Sequence, residues 1–237
     1  LERACGAKRR VARDDVAAIL FSSGSTGEPK GIVLTHKNLQ SNCDAIAQVL
    51  PSDRSDKLVG VLPMFHSFGN LALWYSVGQG AGIVFHPNPL DAAAVGHLVA
   101  SHAATVLIAT PTFLQLYNRR CEPGQFGSLR LVLTGAEKLT DDLADAFAER
   151  FGLRPIQGYG ATECSPAIAV CAPGYRAPGF YQSGSRRGSV GRPMPGVIVK
   201  IVDPDTHEPL PIGKPGMILV SGANVMQGYL GREDLTA

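Results

Sequence analysis

The chain has 237 residues, 45% of them hydrophobic and 18% charged, with a net charge of +2 and a pI of about 8.3. That is the composition of a globular protein with enough apolar material for a sizeable core, and without a basic stripe it excludes nucleic acid as the default partner. The longest apolar runs are strand-sized, so no transmembrane helix is expected, and "LERACGAKRRVARDD" lacks the apolar stretch of a secretory signal. "VAAILF" (16–21) and "GIVLT" (31–35) read as strands flanking a Gly/Ser loop, after which Thr35 caps a helix over 36–50. "KLVGVLP" (57–63), "AGIVF" (81–85), "TVLIAT" (105–110) and "LRLVLTG" (129–135) are β-rich and alternate with helical patterns at 69–78, 91–102 and 111–119. The clearest helix is "TDDLADAFAERFG" (140–152). Thr140 suits its N-cap, Asp141 and Asp142 its positive first turn, and Gly152 its C-cap, while Leu143, Phe147 and Phe151 form one apolar stripe. This alternation predicts an α/β fold with a mostly parallel, helix-covered sheet. From 172 a Gly/Pro/Ser/Arg-rich stretch reads as a long loop, followed by the strands "VIVKIVD" (197–203) and "MILVSG" (217–222) of a small β-barrel-like subdomain.

Cysteines stand at 5, 43, 121, 164 and 171, an odd number without a C-x-x-C pair. Zinc and a disulfide framework are poorly supported by that pattern; reduced thiols in a cytosolic setting fit it.

The loop "SSGSTGEPKG" (22–31) has the composition of a phosphate cradle. A Walker loop needs its lysine directly after glycine at the start of a helix. Here Glu28 and Pro29 separate Gly27 from Lys30 and a strand follows, so a P-loop phosphotransferase fails on spacing. Glycines still let successive N–H groups turn inward as an anion nest, the hydroxyls of Ser22, Ser23, Ser25 and Thr26 add donors, and Lys30 adds a point charge.

This run resembles the phosphate-loop signature of the adenylate-forming (AMP-binding) superfamily of acyl-CoA synthetases and their relatives. Four further segments are similar to that family's motifs, in its order. They are "LPMFHSFG" (62–69, a gating motif), "TGAEKL" (134–139, a strand end in the nucleotide pocket), "GYGATE" (158–163, an adenine-and-metal motif) and "GSVGRPMPG" (188–196, the entry to a β-barrel subdomain). In detail "LPMFHSFG", "GAEKL", "APGF" and "GSVGRPMPGV" resemble most the acyl-acyl-carrier-protein synthetase module of the bifunctional 2-acylglycerophosphoethanolamine acyltransferases. The resemblance implies a fragment of a large N-terminal domain: 1–56 as the remnant of a first α/β subdomain, 57–172 as a second, and 173–237 as an incomplete β-barrel subdomain.

It also implies roles. Ser22, Ser23, Gly24, Ser25, Thr26, Gly27 and Lys30 would hold the β- and γ-phosphates of ATP. Thr162 would meet the α-phosphate, and Glu163 would bind Mg²⁺, whose hard oxygen ligands include one or two carboxylates. Tyr159, between Gly158 and Gly160, would pack on adenine; Gly135, Ala136 and Glu137 would line the nucleotide and acyl pocket; His66 would stand beside the reacting carboxylate. Lys30, His66, Thr162 and Glu163 form the expected catalytic set. The implied activity joins a carboxylic acid to AMP and passes the acyl group to coenzyme A or an acyl carrier protein. "HSFGNLALWYSVGQG" (66–80) holds no Asp or Glu to pair with a substrate ammonium, which argues against an amino acid. Phe68, Leu71, Leu73, Trp74 and Tyr75 supply apolar surface instead, so a fatty acid is expected first and an aryl acid second. A non-catalytic nucleotide- or acyl-binding module is the alternative from another class. The acyltransferase likeness implies a parent in the cytoplasm, at the inner face of the cytoplasmic membrane. No segment matches the family's ribose-binding aspartate, its C-terminal lysine domain or much of the first subdomain. The chain is therefore expected to be a portion of a larger enzyme, with little adenylation activity alone.

Overall fold

The computed structural model describes residues 10–22, 28–50 and 52–236. Strands β1 (Val16–Ser22) and β2 (Lys30–Thr35) pair antiparallel with Ser22 opposite Lys30, so the Gly/Ser loop is a hairpin connection. Its Ser23, Gly24, Ser25, Thr26 and Gly27 lie outside the described residues. Thr35 then starts α1 (His36–Val49). The Asn38 N–H donates to its hydroxyl at 3.2 Å, and the Thr35 N–H donates back to Asn38 Oδ1 at 2.9 Å. This reciprocal cap satisfies two orphan donors.

The main sheet follows in chain order as β3 (Lys57–Gly60), α2 (Ser67–Gln79), β4 (Gly82–Phe85), α3 (Ala92–His102), β5 (Val106–Ala109), α4 (Pro111–Arg120), β6 (Leu131–Thr134), α5 (Asp141–Phe151), β7 (Ile156–Gly160) and β8 (Ala167–Val170). Each helix starts at a side-chain acceptor: His66, Asp91, Thr110 and Thr140 receive the N–H of Phe68, Ala94, Phe113 and Leu143. Gly80 and Gly152 end α2 and α5 in the left-handed region, as a residue without Cβ permits. Beyond β8 come a short hairpin, β9 (Tyr175–Ala177) and β10 (Phe180–Gln182), then β11 (Arg192–Pro193), a ribbon of β12 (Val197–Val202) and β13 (Met217–Gly222), and β14 (Gly228–Tyr229).

The seven-stranded sheet runs β4-β3-β5-β6-β7-β8-β11, parallel from β4 to β7, with β8 antiparallel to both neighbours. The expected parallel, helix-covered sheet is thus present. The expected loop after 172 contains a hairpin and β11, and the expected barrel is, among the described residues, an antiparallel ribbon. The boundary expected near 172 is crossed twice. β11 joins the main sheet, and β14 adds to β2 in the first sheet, with Tyr229 opposite Ile32. Backbone edges of both sheets would otherwise stay unpaired.

Side-chain alternation places a core on each face of the main sheet. Val59, Leu107 and Val132 point to α3, α4 and α5, where Tyr117 and Phe147 are fully buried together with Phe126 of the 3-10 turn Pro123–Phe126. Leu58, Val106, Ile108 and Leu133 point the other way, to Cys43 and Ile46 of α1 and Leu71 and Tyr75 of α2. A sheet covered on both sides explains why β5 and β6 read as unbroken apolar runs. A third cluster (Leu20, Ile32, Leu34, Leu39) lies under the first sheet and meets the second core through Trp74. Among the described residues no helix is long and apolar enough to cross a membrane.

Candidate active site

In an open α/β sheet the ligand crevice lies beyond the carboxyl ends of the strands, where the chain order reverses. Here that reversal falls at β3, flanked by β4 and β5. The segment after β3 carries His66, and the segments after β6 and β7 carry Gly135–Ala136 and Ala161–Thr162. One cavity collects His66 and Gly135–Ala136, with Ala161–Thr162 just outside its lining. His66, Ser67, Phe68, Gly135, Ala136, Gly158, Tyr159 and Gly160 line it, together with Ile46, Leu50, Leu71, Leu133, Val170 and Met194. No Asp, Glu, Lys or Arg is among the described residues lining it.

His66 caps α2: its Nδ1 accepts the Phe68 N–H at 3.2 Å. That bond commits Nδ1 as an acceptor, so in the neutral ring Nε2 carries the proton. Gly69 is what lets α2 start here, since a Cβ on it would sit 2.2 Å from the Pro63 carbonyl oxygen. Tyr159 is 40% exposed at the end of β7, so its ring offers a free face. Ala136 sits at φ 68°, in the left-handed region that a side chain resists. Strain of this kind persists where surrounding structure over-determines it.

Thr162 and Glu163 lie on a 3-10 turn (Thr162–Cys164) just past β7. The Thr162 hydroxyl donates to Ser67 Oγ at 3.1 Å, joining this turn to the start of α2. Glu163 is half-buried, and its Oε1 accepts from the Tyr229 hydroxyl at 2.9 Å. Lys30, at the start of β2, reaches the same tyrosine: its Nζ lies over the ring, 5.5 Å from the centroid. Glu137 behaves differently. Its Oε2 accepts from the Thr112 N–H at 3.2 Å and hydroxyl at 2.6 Å, so its side chain caps the first turn of α4 and does not line the cavity.

The turn is held by side chains that no motif marks. Asn42 Nδ2 donates to the Ala167 carbonyl at 2.8 Å, and its Oδ1 accepts the Ala167 N–H at 3.2 Å. Asn224 Nδ2 donates to the Cys164 carbonyl at 2.9 Å. The Ser165 hydroxyl donates to the Asn224 carbonyl at 2.8 Å, and Asn38 Nδ2 donates to the carbonyls of Ala223 and Val225 at 2.9 and 2.7 Å. The Met226 N–H donates to the Glu163 carbonyl at 2.7 Å. The thiols are packing groups: Cys43, Cys164 and Cys171, and Cys121 in the core on the other face of the sheet, are free and buried, and burial pushes Cys164 up to about 11.

The arrangement can hold a flat or extended apolar group in the cavity. Thr162, hydrogen-bonded to Ser67 of the lining, leads to Glu163 on the same turn, and Tyr229 connects that carboxylate to the Lys30 ammonium. Glu163 Oε2 is not engaged by Tyr229, which suits a hard cation that takes one protein carboxylate and completes its shell with phosphate oxygens and water. Among the described residues no group of three His, Cys, Asp or Glu side chains could hold a metal without such a ligand.

The model of the AMP-binding enzyme family matches residues 4–230. Feruloyl-CoA synthase from Amycolatopsis sp is 34% identical over 230 residues, covering 96% of this chain and 45% of the relative. 4-coumarate–CoA ligase 2 from Oryza sativa subsp. japonica is 34% identical over 241 residues, covering 96% of this chain and 40% of the relative. The structure of O-succinylbenzoate coenzyme A synthetase from Bacillus subtilis, in complex with ATP and magnesium ion, superimposes with a TM-score of 0.83 at 29% identity, over 95% of this chain and 45% of that one. The chain thus spans less than half the length of the relatives it matches. With the family model matching nearly end to end, the chain belongs to the AMP-binding enzyme family.

Proposed function

We propose that the chain is the nucleotide- and acyl-binding portion of an AMP-forming acid–thiol ligase whose substrate is a hydrophobic monocarboxylic acid, a fatty acid in the first reading. The carrying observation is the cavity itself, apolar from Leu71 and Leu133 to Val170 and Met194, with no charged side chain among the described residues that line it. An amino acid bound there would bury its ammonium unpaired, at a cost of several kcal/mol. The carboxylate of the acid attacks the α-phosphate of ATP, pyrophosphate leaves, and the acyl-AMP then yields its acyl group to a thiol. Two anions must meet in the first step, so the protein's task is charge neutralisation and alignment.

In this reading Tyr159 carries adenine, Thr162 donates toward the α-phosphate, and Lys30, Ser22 and the hairpin residues Ser23, Gly24, Ser25, Thr26 and Gly27 hold the leaving phosphates. His66 presents Nε2 to the reacting carboxylate. Glu163 would hold Mg²⁺, which, when bound, supplies charge neutralisation to the phosphate oxygens. The acceptor is coenzyme A or a carrier protein, the latter suggested by the wording shared with the bifunctional acyltransferases. An aryl acid is the second reading. It is favoured by relatives named for feruloyl and coumaroyl substrates, and by the Phe68 ring packed 3.3 Å from where a Gly135 Cβ would stand.

Calorimetric titration with three stable adenylate mimics, fatty-acyl, aryl and aminoacyl, tests this. The fatty-acyl mimic is expected to bind at least about tenfold tighter than the aminoacyl one, since only the latter carries an ammonium to desolvate. A preference for the aryl mimic selects the second reading. A preference for the aminoacyl mimic overturns both.

A further inference from the structure

Tyr229 touches two of the charged groups assigned above and belongs to none of the motifs. Its hydroxyl donates to Glu163 Oε1 at 2.9 Å, and Lys30 Nζ lies 5.5 Å from its ring centroid. The backbone leaves it little choice of position. Tyr229 pairs with Ile32, its N–H donates to Thr236 Oγ1 at 3.1 Å, and the Leu230 N–H donates to the Gly31 carbonyl at 2.7 Å. Three residues earlier in the same segment, Met226 holds the backbone of Glu163.

We infer that Tyr229 is a positioning residue that aims the Glu163 carboxylate and the Lys30 ammonium at one bound polyphosphate–metal ligand; this rests on the reading of Glu163 as the magnesium ligand. The two contacts act differently. The phenol occupies one carboxylate oxygen, fixes the plane of the group and leaves Oε2 for the cation. The ring face attracts the ammonium through its quadrupole and accepts no hydrogen bond of its own, so all three N–H donors of Lys30 stay available for phosphate oxygens. Without the ring the ammonium and the carboxylate would be free to pair with each other, and the ligand would first have to separate them.

The test is ATP affinity by calorimetry, in EDTA and in saturating Mg²⁺, for the wild type, Tyr229→Phe, Tyr229→Leu and Glu163→Gln. Mn²⁺ electron paramagnetic resonance reports the metal's surroundings, and circular dichroism confirms that each variant is folded. Tyr229→Phe keeps the ring and loses the hydroxyl. It is expected to bind metal-free ATP within about twofold of wild type, and to lose about tenfold of the metal-dependent gain, the size of a hydrogen bond to a charged group. Its Mn²⁺ spectrum should shift toward that of Glu163→Gln. Tyr229→Leu should weaken ATP binding in EDTA as well. A wild-type gain that Tyr229→Phe leaves intact overturns the inference and spares the functional reading. A wild type with no metal-dependent gain, matched by Glu163→Gln, overturns both.

Discussion

Asn42 and Asn224 show how the chemistry-bearing turn is held. Both are almost wholly buried, and between them their amides engage the carbonyls of Cys164 and Ala167. Replacing Asn42 with Leu removes the side-chain partner of the Ala167 N–H and leaves its carbonyl with only the longer bond from Asn224 at 3.4 Å, so urea denaturation should show a loss of about 1–3 kcal/mol, with weaker binding of an adenylate mimic. Asp56 makes a comparable contribution at the opposite, amino end of the strands, just before β3. It is 2% exposed, pairs bidentately with Arg130 and accepts the Thr105 hydroxyl at 2.6 Å. The Arg130 guanidinium holds its carboxyl well below the usual range, at about 2. A depressed folded-state value means stability that is present above about pH 4 and lost as pH falls toward 2. Asp56→Asn should therefore cost about 2 kcal/mol at pH 7, and the gap to wild type in denaturation midpoints should close between pH 4 and 2. His66, Tyr159, Thr162 and Glu163 were named through the resemblance of the short runs around them to one family's motifs. Asn38, Asn42, Asn224 and Tyr229 were not. Their partners lie far away in the chain, and a lone Asn in an amphipathic helix has no local mark. The Glu137 side chain, named for the pocket, found a nearer partner in Thr112.

At the scale of elements, caps and apolar runs placed α1 and α3–α5 and the strands β1–β6 to within a few residues, because Thr35, Thr140 and Gly152 satisfy or free the backbone where the sequence says they should. α2 begins earlier than its apolar pattern suggests, since histidine is an uncommon cap and Gly69 gives no side chain to count. β7 and β8 left little trace: "IQGYG" is too rich in glycine, and half of "AIAV" is alanine, a poor strand former. The glycines there have a steric purpose. A Cβ on Gly160 would stand 2.2 Å from the Pro166 carbonyl oxygen. Gly160→Ala must therefore push β8 away from β7 and swing the Thr162–Cys164 turn. Chemical denaturation should register a loss of at least about 2 kcal/mol, and mimic binding should fall with it. A Gly160→Ala protein with wild-type stability and binding would show that the two strands tolerate separation.

For the molecule as a whole, the strand order brings the ends of β3, β6 and β7 to one crevice, and the Thr162–Ser67 hydrogen bond ties its two sides. The parallel core followed from the alternation of strands and helices. The return of β11 and β14 to sheets begun much earlier did not, because two-residue strands carry no pattern of their own. Those returns matter most for function, since one places Met194 in the cavity wall and the other places Tyr229 beside Glu163. The most direct measurement is a crystal structure of the chain with a fatty-acyl sulfamoyl adenosine. Adenine should lie against Tyr159, the sulfamate beside Thr162, and the acyl chain between Leu71, Leu133, Val170 and Met194. A ligand bound elsewhere, such as the groove lined by Arg154, Arg186 and Arg187, with this cavity empty, would contradict the assignment.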